Sequence, residues 1–261
     1  MNNIDKKINQ LKKESRMGVM THVVVGYPSL KETSQLVLLM SKCGVDFIEL
    51  QIPFSDPLAD GPTIMKACEK SLHNGTKIKD AMRIAKDISS KINNPLIFMA
   101  YFNNIFKYGV KKFCQDAKSA GISGLIVPDI PPEEEECECL RHFAKKMGLY
   151  FIPVLSPVST IKRIKKNLKK GEGFVYCTAK QGTTGVSQTL NLESLQYLKK
   201  VKKISKVPIA LGFGISSRKH LQQIKGNADI AVIGSFLINL IENSENNYQK
   251  KIATFLNSLQ E

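Results

Sequence analysis

Apolar residues along the chain follow two alternating rhythms. Short continuous runs, rich in β-branched side chains, recur at 19–25 (VMTHVVV), 46–50 (DFIEL), 95–101 (PLIFMAY), 124–130 (GLIVPDI), 149–155 (LYFIPVL), 173–179 (GFVYCTA), 207–213 (VPIALGF) and 228–234 (ADIAVIG). Between them lie segments with helical spacing: 29–42, 62–73, 77–91, KKFCQDAKSAG before 124, 131–148, 161–173 and 246–260. The segment 131–148 reads as one helix, with prolines and acids at its start, lysines near its end and Gly148 just beyond. The strand runs are apolar throughout rather than alternating, as in parallel strands buried on both faces. Eight strand-then-helix units predict an α/β protein, a closed (β/α)8 TIM barrel, with a doubly wound open sheet as the alternative. Ahead of the first strand, Ile4, Ile8 and Leu11 share one face of an extra N-terminal helix, which is expected to plug the bottom of the barrel.

At 261 residues, with no linker or low-complexity stretch, the chain is expected to form one domain over 1–261. The net charge of +15 raises the question of a nucleic-acid partner, but the lysines are spread along the chain. Their densest run, IKRIKKNLKKGEG (161–173), places Ile161, Ile164 and Leu168 on one side of an amphipathic helix with a solvated lysine face. Arginine, the usual reader of base edges, is scarce, so no nucleic acid is expected. No run is long enough to span a bilayer, the start of the chain is not a signal peptide, and a cytoplasmic protein is expected. The six cysteines have no zinc-type spacing and read as free thiols, and no metal site is expected.

In a barrel of this kind chemistry gathers where strands end and their following loops begin. There the stretch FIELQIPFSDPLADGPTI (47–64) stands out. Glu49 sits within an apolar strand, and desolvation by Phe47, Ile48, Leu50 and Ile52 is expected to raise its pKa. Asp60 follows in a loop expected to be more open to water, where it stays ionised. Two carboxyls in unlike settings can divide acid and base roles. The plainer alternatives are that Glu49 pairs with a buried lysine or caps a backbone group, and that Asp60 only starts the helix at Pro62. Glycines close three later strands, at Gly182 and Gly185 (QGTTG), Gly212 and Gly214 (GFG), and Gly234 with Ser235, and these loops predict a phosphate site. Asp129 either orients a neighbour or caps the next helix. Tyr101 and Tyr176, with Phe213, either line an apolar pocket or belong to the core. His22, inside the first strand, reads by default as a satisfied barrel residue, and His73, His142 and His220 as surface residues.

PFSDPLADGPTI closely resembles the signature of the tryptophan synthase α subunit family. Further resemblances follow in order: MAYFNNIFKYG (99–109), GLIVPDIPPEE (124–134), GFVYCTAKQGTTG (173–185), LGFGI (211–215) and ADIAVIGS (228–235). The resemblance covers nearly the whole chain. It implies a (β/α)8 barrel that cleaves indole-3-glycerol phosphate by a retro-aldol reaction. It implies no cofactor of its own, and partnership in an αββα heterotetramer with a pyridoxal-phosphate-containing β subunit. It places the catalytic carboxylates on Glu49 and Asp60. Phosphate contacts fall on Gly182, Thr183, Gly185, Gly212, Gly214, Gly234 and Ser235. The β-facing surface falls on Pro53, Asp56, Pro57, Asn103 and Asn104, and closure on a mobile 181–190 loop. The chain departs from the family pattern at Tyr27, where an acid is more usual, at Gln51 in place of glycine, and at Lys180 and Thr183 in place of arginine and valine. Lys180 keeps the charge but lacks the planar fork of arginine. These departures bear on loop closure and regulation rather than on the two carboxylates.

Overall fold

A computed structural model describes residues 1–130, 139–169, 171–178, 192–212, 214–244 and 247–259. Its strands are β1 (Gly18–Val24), β2 (Phe47–Gln51), β3 (Leu96–Met99), β4 (Ile122–Ile126), β5 (Tyr150–Ile152), β6 (Val154–Leu155), β7 (Val175–Thr178), β8 (Ile209–Gly212) and β9 (Ile230–Ile233). Every strand pairing is parallel, in the order β5-β4-β3-β2-β1-β9-β8-β7-β6. The ends of that order, β5 and β6, are separated only by Pro153. The sequence run 149–155 is thus one strand interrupted by a residue with no N–H to give. β5 bonds to β4 on one side and β6 to β7 on the other. The sheet closes on itself as the expected barrel rather than an open sheet.

The helices are α1 (Asn3–Lys13), α2 (Leu30–Lys42), α3 (Pro62–His73), α4 (Ile78–Ser89), α5 (Phe102–Tyr108), α6 (Val110–Ser119), α7 (Leu140–Lys146), α8 (Ile161–Lys169), α9 (Leu192–Ile204), α10 (Arg218–Ile224), α11 (Ser235–Glu242) and α12 (Tyr248–Ser258). Two expectations need correction. β4 ends at Ile126 instead of running to 130, so Asp129 lies in the loop beyond it. The described part of 131–148 does not enter as a running helix: α7 starts at Leu140, after Cys139 in a left-handed conformation (φ 58°). α5, which the sequence pattern did not reveal, is too short to show a period.

Alternation along the strands sorts the core into two shells. On β2, Phe47, Glu49 and Gln51 turn into the barrel, whereas Ile48 and Leu50 pack outward beneath the helices. The inner shell joins Met20, Phe47, Ile97, Ile126, Ile152 and Phe174 to Ile4, Ile8 and Leu11 of α1, which is the expected plug. The Asn2 side chain accepts from the Ile4 N–H at 2.9 Å and caps α1. Its amide also donates to the Ser123 and Gly148 carbonyls, which fixes the helix against β4 and the turn before β5. Gly18 makes room for the plug, because a Cβ there would sit 2.7 Å from Leu11 Cδ1. The lower barrel is therefore filled by side chains, and the cavity described below opens at the opposite end, where the strands finish.

Candidate active site

β1 and β2 lie side by side with His22 opposite Glu49, so both side chains enter the barrel at one level. His22 Nδ1 is 3.2 Å from Glu49 Oε1. Both residues are almost fully buried, and Glu49 Oε2 and His22 Nε2 have no hydrogen-bond partner among the described residues. The plainer alternative for Glu49, a buried lysine, is thereby replaced by an imidazole. Of its apolar sequence neighbours, Phe47 shares its inward face, whereas Ile48 and Leu50 face the other way.

Asp60 is placed by the rigid loop after β2. Gly61, not Asp60, precedes α3, and Pro62 occupies the first turn where its missing N–H costs nothing. Asp60 is thus released from capping. The expectation of an open, watery loop also fails: Asp60 is only 5% exposed. Its Oδ2 accepts a 2.6 Å bond from Gln51 Nε2 and a 3.0 Å bond from the Tyr101 hydroxyl. Burial raises the Asp60 pKa and the Glu49 charge adds to that, while His22, Gln51 and Tyr101 work in the opposite direction; the net shift is upward. The Tyr101 hydroxyl accepts in turn from the Ala59 N–H at 3.0 Å, and its ring stacks on Phe54 at 5.2 Å.

These groups border a cavity of about 370 Å³, lined by His22, Glu49, Asp60, Tyr176, Gly212, Gly214, Gly234 and Ser235 together with apolar Leu58, Ile64, Met99, Ile126 and Val232. That volume falls within the range of small-molecule sites. Tyr101 and Gln51 are not among the residues lining the cavity; both bond to Asp60 Oδ2. Tyr176 lies across Gly212, where a Cβ would come within 2.4 Å of the phenol oxygen. Burial first, then the charges of Glu49 and Asp60, pushes the Tyr176 pKa well up and keeps it a neutral phenol. Gly234 precedes α11, and Ser235 opens it, so first-turn amides point toward the same space. Gly182, Thr183, Gly185, Phe213 and Lys180 lie outside the described residues.

The other candidates separate from this site. Asp129 caps α5, accepting from the Phe102 N–H at 2.9 and 3.0 Å, while the segment 131–138 that follows it lies outside the described residues. Asp46 is a structural acid, buried against Arg16 through two 2.8 Å bonds and against the Val19 N–H. His220, expected at the surface, is buried and accepts from the Ser216 N–H. Ile161 is exposed rather than part of the packed face of α8. Of the expected partner-facing residues, Pro53 and Pro57 are buried within the chain, Asp56 and Asn103 are exposed, and half-buried Asn104 donates to the Pro53 carbonyl at 3.2 Å. Sequence reasoning missed Ser156, Ser159 and Arg163, which line the cavity beyond β6 and at α8. Arg163 was hidden in a lysine-rich run that has the pattern of a solvent face. No group of metal-binding residues occurs among the described residues.

A family model described as tryptophan synthase alpha chain matches residues 8–261. The tryptophan synthase alpha chain of Desulfotalea psychrophila is 41% identical over 256 residues, covering 98% of this chain and 99% of that one. That of Thermoanaerobacter sp. strain X514 is 40% identical over 263 residues, covering 100% and 99%. Among solved structures, the tryptophan synthase alpha subunit of Legionella pneumophila superposes with a TM-score of 0.90 at 31% identity, covering 100% of this chain and 97% of that one. A Mycobacterium tuberculosis tryptophan synthase structure gives 0.91 at 27% identity, covering 99% and 96%.

Proposed function

The chain belongs to the tryptophan synthase alpha chain family, a carbon–carbon lyase that cleaves indole-3-glycerol phosphate to indole and glyceraldehyde 3-phosphate in tryptophan biosynthesis, and from that premise we propose how its own residues divide the work. The observation that carries the reading is the convergence of Glu49 and Asp60 on one cavity that is also lined by Gly234 and Ser235. Glu49 delivers a proton to C3 of the indole ring, which makes the ring an electron sink. The side-chain hydroxyl next to the ring then gives its proton to Glu49, its O–H electron pair becomes the new carbonyl bond, and the C–C bond electrons return to the ring. Glu49 Oε2, which lacks a hydrogen-bond partner among the described residues, is the oxygen that faces the substrate in both transfers. Asp60 accepts the indole N–H and stabilises the positive charge that C3 protonation creates. Its Oδ2 is occupied by Gln51 and Tyr101, so Oδ1 faces the ring. The amides at the start of α11 hold the phosphate and fix the reacting carbon near Glu49. Tyr176 and the apolar wall enclose the ring.

A paired substitution tests this division. Asp60→Asn is expected to abolish indole release while substrate still binds. Gly234→Asp, which sets a negative charge beside the phosphate, is expected to raise KM with kcat less affected. The reverse assignment of effects would overturn the layout.

We also infer a β-subunit partner in an αββα assembly, working in the cytoplasm. The supporting feature is the loop after β2 together with α5, tied by the Asn104–Pro53 bond, which exposes Leu58, Phe106, Asp56 and Asn103. Leu58 is 87% exposed, an unusual state for a large apolar side chain in a loop beside an active site. Sizing the protein with and without a tryptophan synthase β subunit is expected to show a complex that Leu58→Glu weakens. Unchanged elution on mixing would refute the partnership.

A further inference from the structure

His22 and Gln51 are buried polar groups that the scheme above does not use. His22 Nδ1 meets Glu49 Oε1 at 3.2 Å, while Nε2 on the other side of the ring has no hydrogen-bond partner among the described residues. Gln51, two residues beyond Glu49 on the same inward face, commits its amide to Asp60 at 2.6 Å. Its oxygen is consequently the end left over, and that oxygen is also buried without a hydrogen-bond partner among the described residues. An imidazole whose Nδ1 meets one carboxylate, and whose charge is also favoured by the second carboxylate of the cavity and by Gln51, is set to carry two protons. The groups facing the ring agree with this. They are Glu49 on β2, Asp60 in the following loop, Tyr176 on β7, and Gly234 with Ser235 at the start of α11. Among the described residues lining the cavity, Arg163 on α8 is the only cation besides a charged His22. Burial works against protonating the ring, but Glu49, Asp60 and Gln51 together outweigh it and its pKa is raised.

We propose that His22 and Glu49 hold one proton between them, and that this proton is the one lent to the indole ring and recovered from the substrate hydroxyl. The idea rests on the assignment of Glu49 as the proton-transferring group. In the resting pair the proton is on His22 Nδ1 and Glu49 is a carboxylate. When the substrate ring is to be protonated, the Nδ1–H bond breaks as an O–H bond forms on Glu49 Oε1; the carboxyl then rotates so that this oxygen takes the place of Oε2 beside the ring, and the O–H bond breaks as C3–H forms. The pair is then a neutral imidazole and a carboxylate, ready to take the hydroxyl proton as the C–C bond cleaves. Return of that proton to Nδ1 restores the starting state, so the net transfer is from hydroxyl to C3. His22 is a positioning residue that acts through Glu49. Gln51, fixed by Asp60, favours the doubly protonated ring.

The test has two readouts. In the free protein with isotopically labelled histidine, the His22 signals, identified by their loss in His22→Phe, are expected to titrate with a midpoint above the ordinary histidine value. In Glu49→Gln that midpoint is expected to fall below it. A ring that stays neutral through neutral pH, or a midpoint indifferent to Glu49→Gln, overturns the proposal. The second readout is the pH dependence of kcat/KM for indole release by His22→Asn, which keeps an N–H donor near Nδ1 but cannot titrate. With the proton left to Glu49 alone, the alkaline limb is expected to move down by about two pH units, the gap between an ordinary imidazole and an ordinary glutamic carboxyl. A purely structural His22 would leave the His22→Asn profile as in the wild type, which would also overturn it. Should Glu49→Gln retain full turnover, the assignment of Glu49 falls, while the titration still reports whether the proton is shared.

Discussion

Replacing Tyr101 with phenylalanine isolates one oxygen of the site. That hydroxyl donates to Asp60 Oδ2 at 3.0 Å and accepts from the Ala59 N–H at 3.0 Å. A hydrogen bond to a charged group contributes about 1.5–3 kcal/mol. If all of it is felt in the transition state, kcat/KM falls about 10- to 150-fold. Gln51 keeps its 2.6 Å bond to the same oxygen, so the carboxylate is not released and the loss is expected near the lower end. The ring still stacks on Phe54, so the fold is expected to persist. Tyr101 also counters the effect of burial on the Asp60 carboxyl, and its loss moves that pKa further up. The acid limb of the rate profile should therefore shift to higher pH. Indole release measured across pH, with a thermal melt as control, decides the matter. A rise in KM with kcat and the acid limb unchanged would mean that Tyr101 touches the substrate and does not act through Asp60.

Asp60→Asn should stabilise the fold while removing activity. The folded-state pKa of Asp60 is raised, so its stability contribution is full below the ordinary carboxyl pKa and is lost as pH rises through the folded value. Melts should accordingly show the variant gaining over wild type at pH 8 and not at pH 3. Gly212→Ala forces a methyl to within 2.4 Å of the Tyr176 phenol, and overpacking of this kind costs about 1–3 kcal/mol. Urea unfolding should register that cost together with a loss of kcat/KM, because the displaced ring is cavity wall. Asp46→Asn leaves the Val19 N–H and Arg16 poorly matched far from the cavity. It should destabilise by about 2–3 kcal/mol, Arg16 being partly hydrated, with kcat unchanged in the folded protein.

Strand positions were legible because each run is apolar on both faces, and α3 because Pro62 marks its first turn. The boundaries that slipped are local events with little pattern: the end of β4 before Pro128, the break at Pro153, and α5 with only seven residues. In the site, Glu49 was visible as an acid in an apolar strand. Its adjacent residues Ile48 and Leu50 do not bury the carboxyl, because neighbours on a strand face opposite ways, and its closest polar partner, His22, comes from β1. Asp60 was visible through the loop motif, but nothing local disclosed that Gln51 and Tyr101 would draw it inward. That depends on the loop after β2 meeting the residue just before α5, 41 positions along the chain. His22 looked like a core residue for the same reason, its partner lying on the neighbouring strand. The glycine and serine at the start of α11 were readable because a strand end, a glycine and an apolar helix follow one another directly.

The central claim is that the Glu49 carboxyl moves the proton. Single-turnover mixing of enzyme in excess over indole-3-glycerol phosphate, comparing wild type with Glu49→Gln and measuring substrate affinity in parallel, addresses it most directly. Binding should stay within a few-fold, while the rate of indole appearance should fall by about 10²–10⁴, the usual worth of a positioned acid–base group. An amide variant that binds normally and releases indole at the wild-type rate would contradict the account.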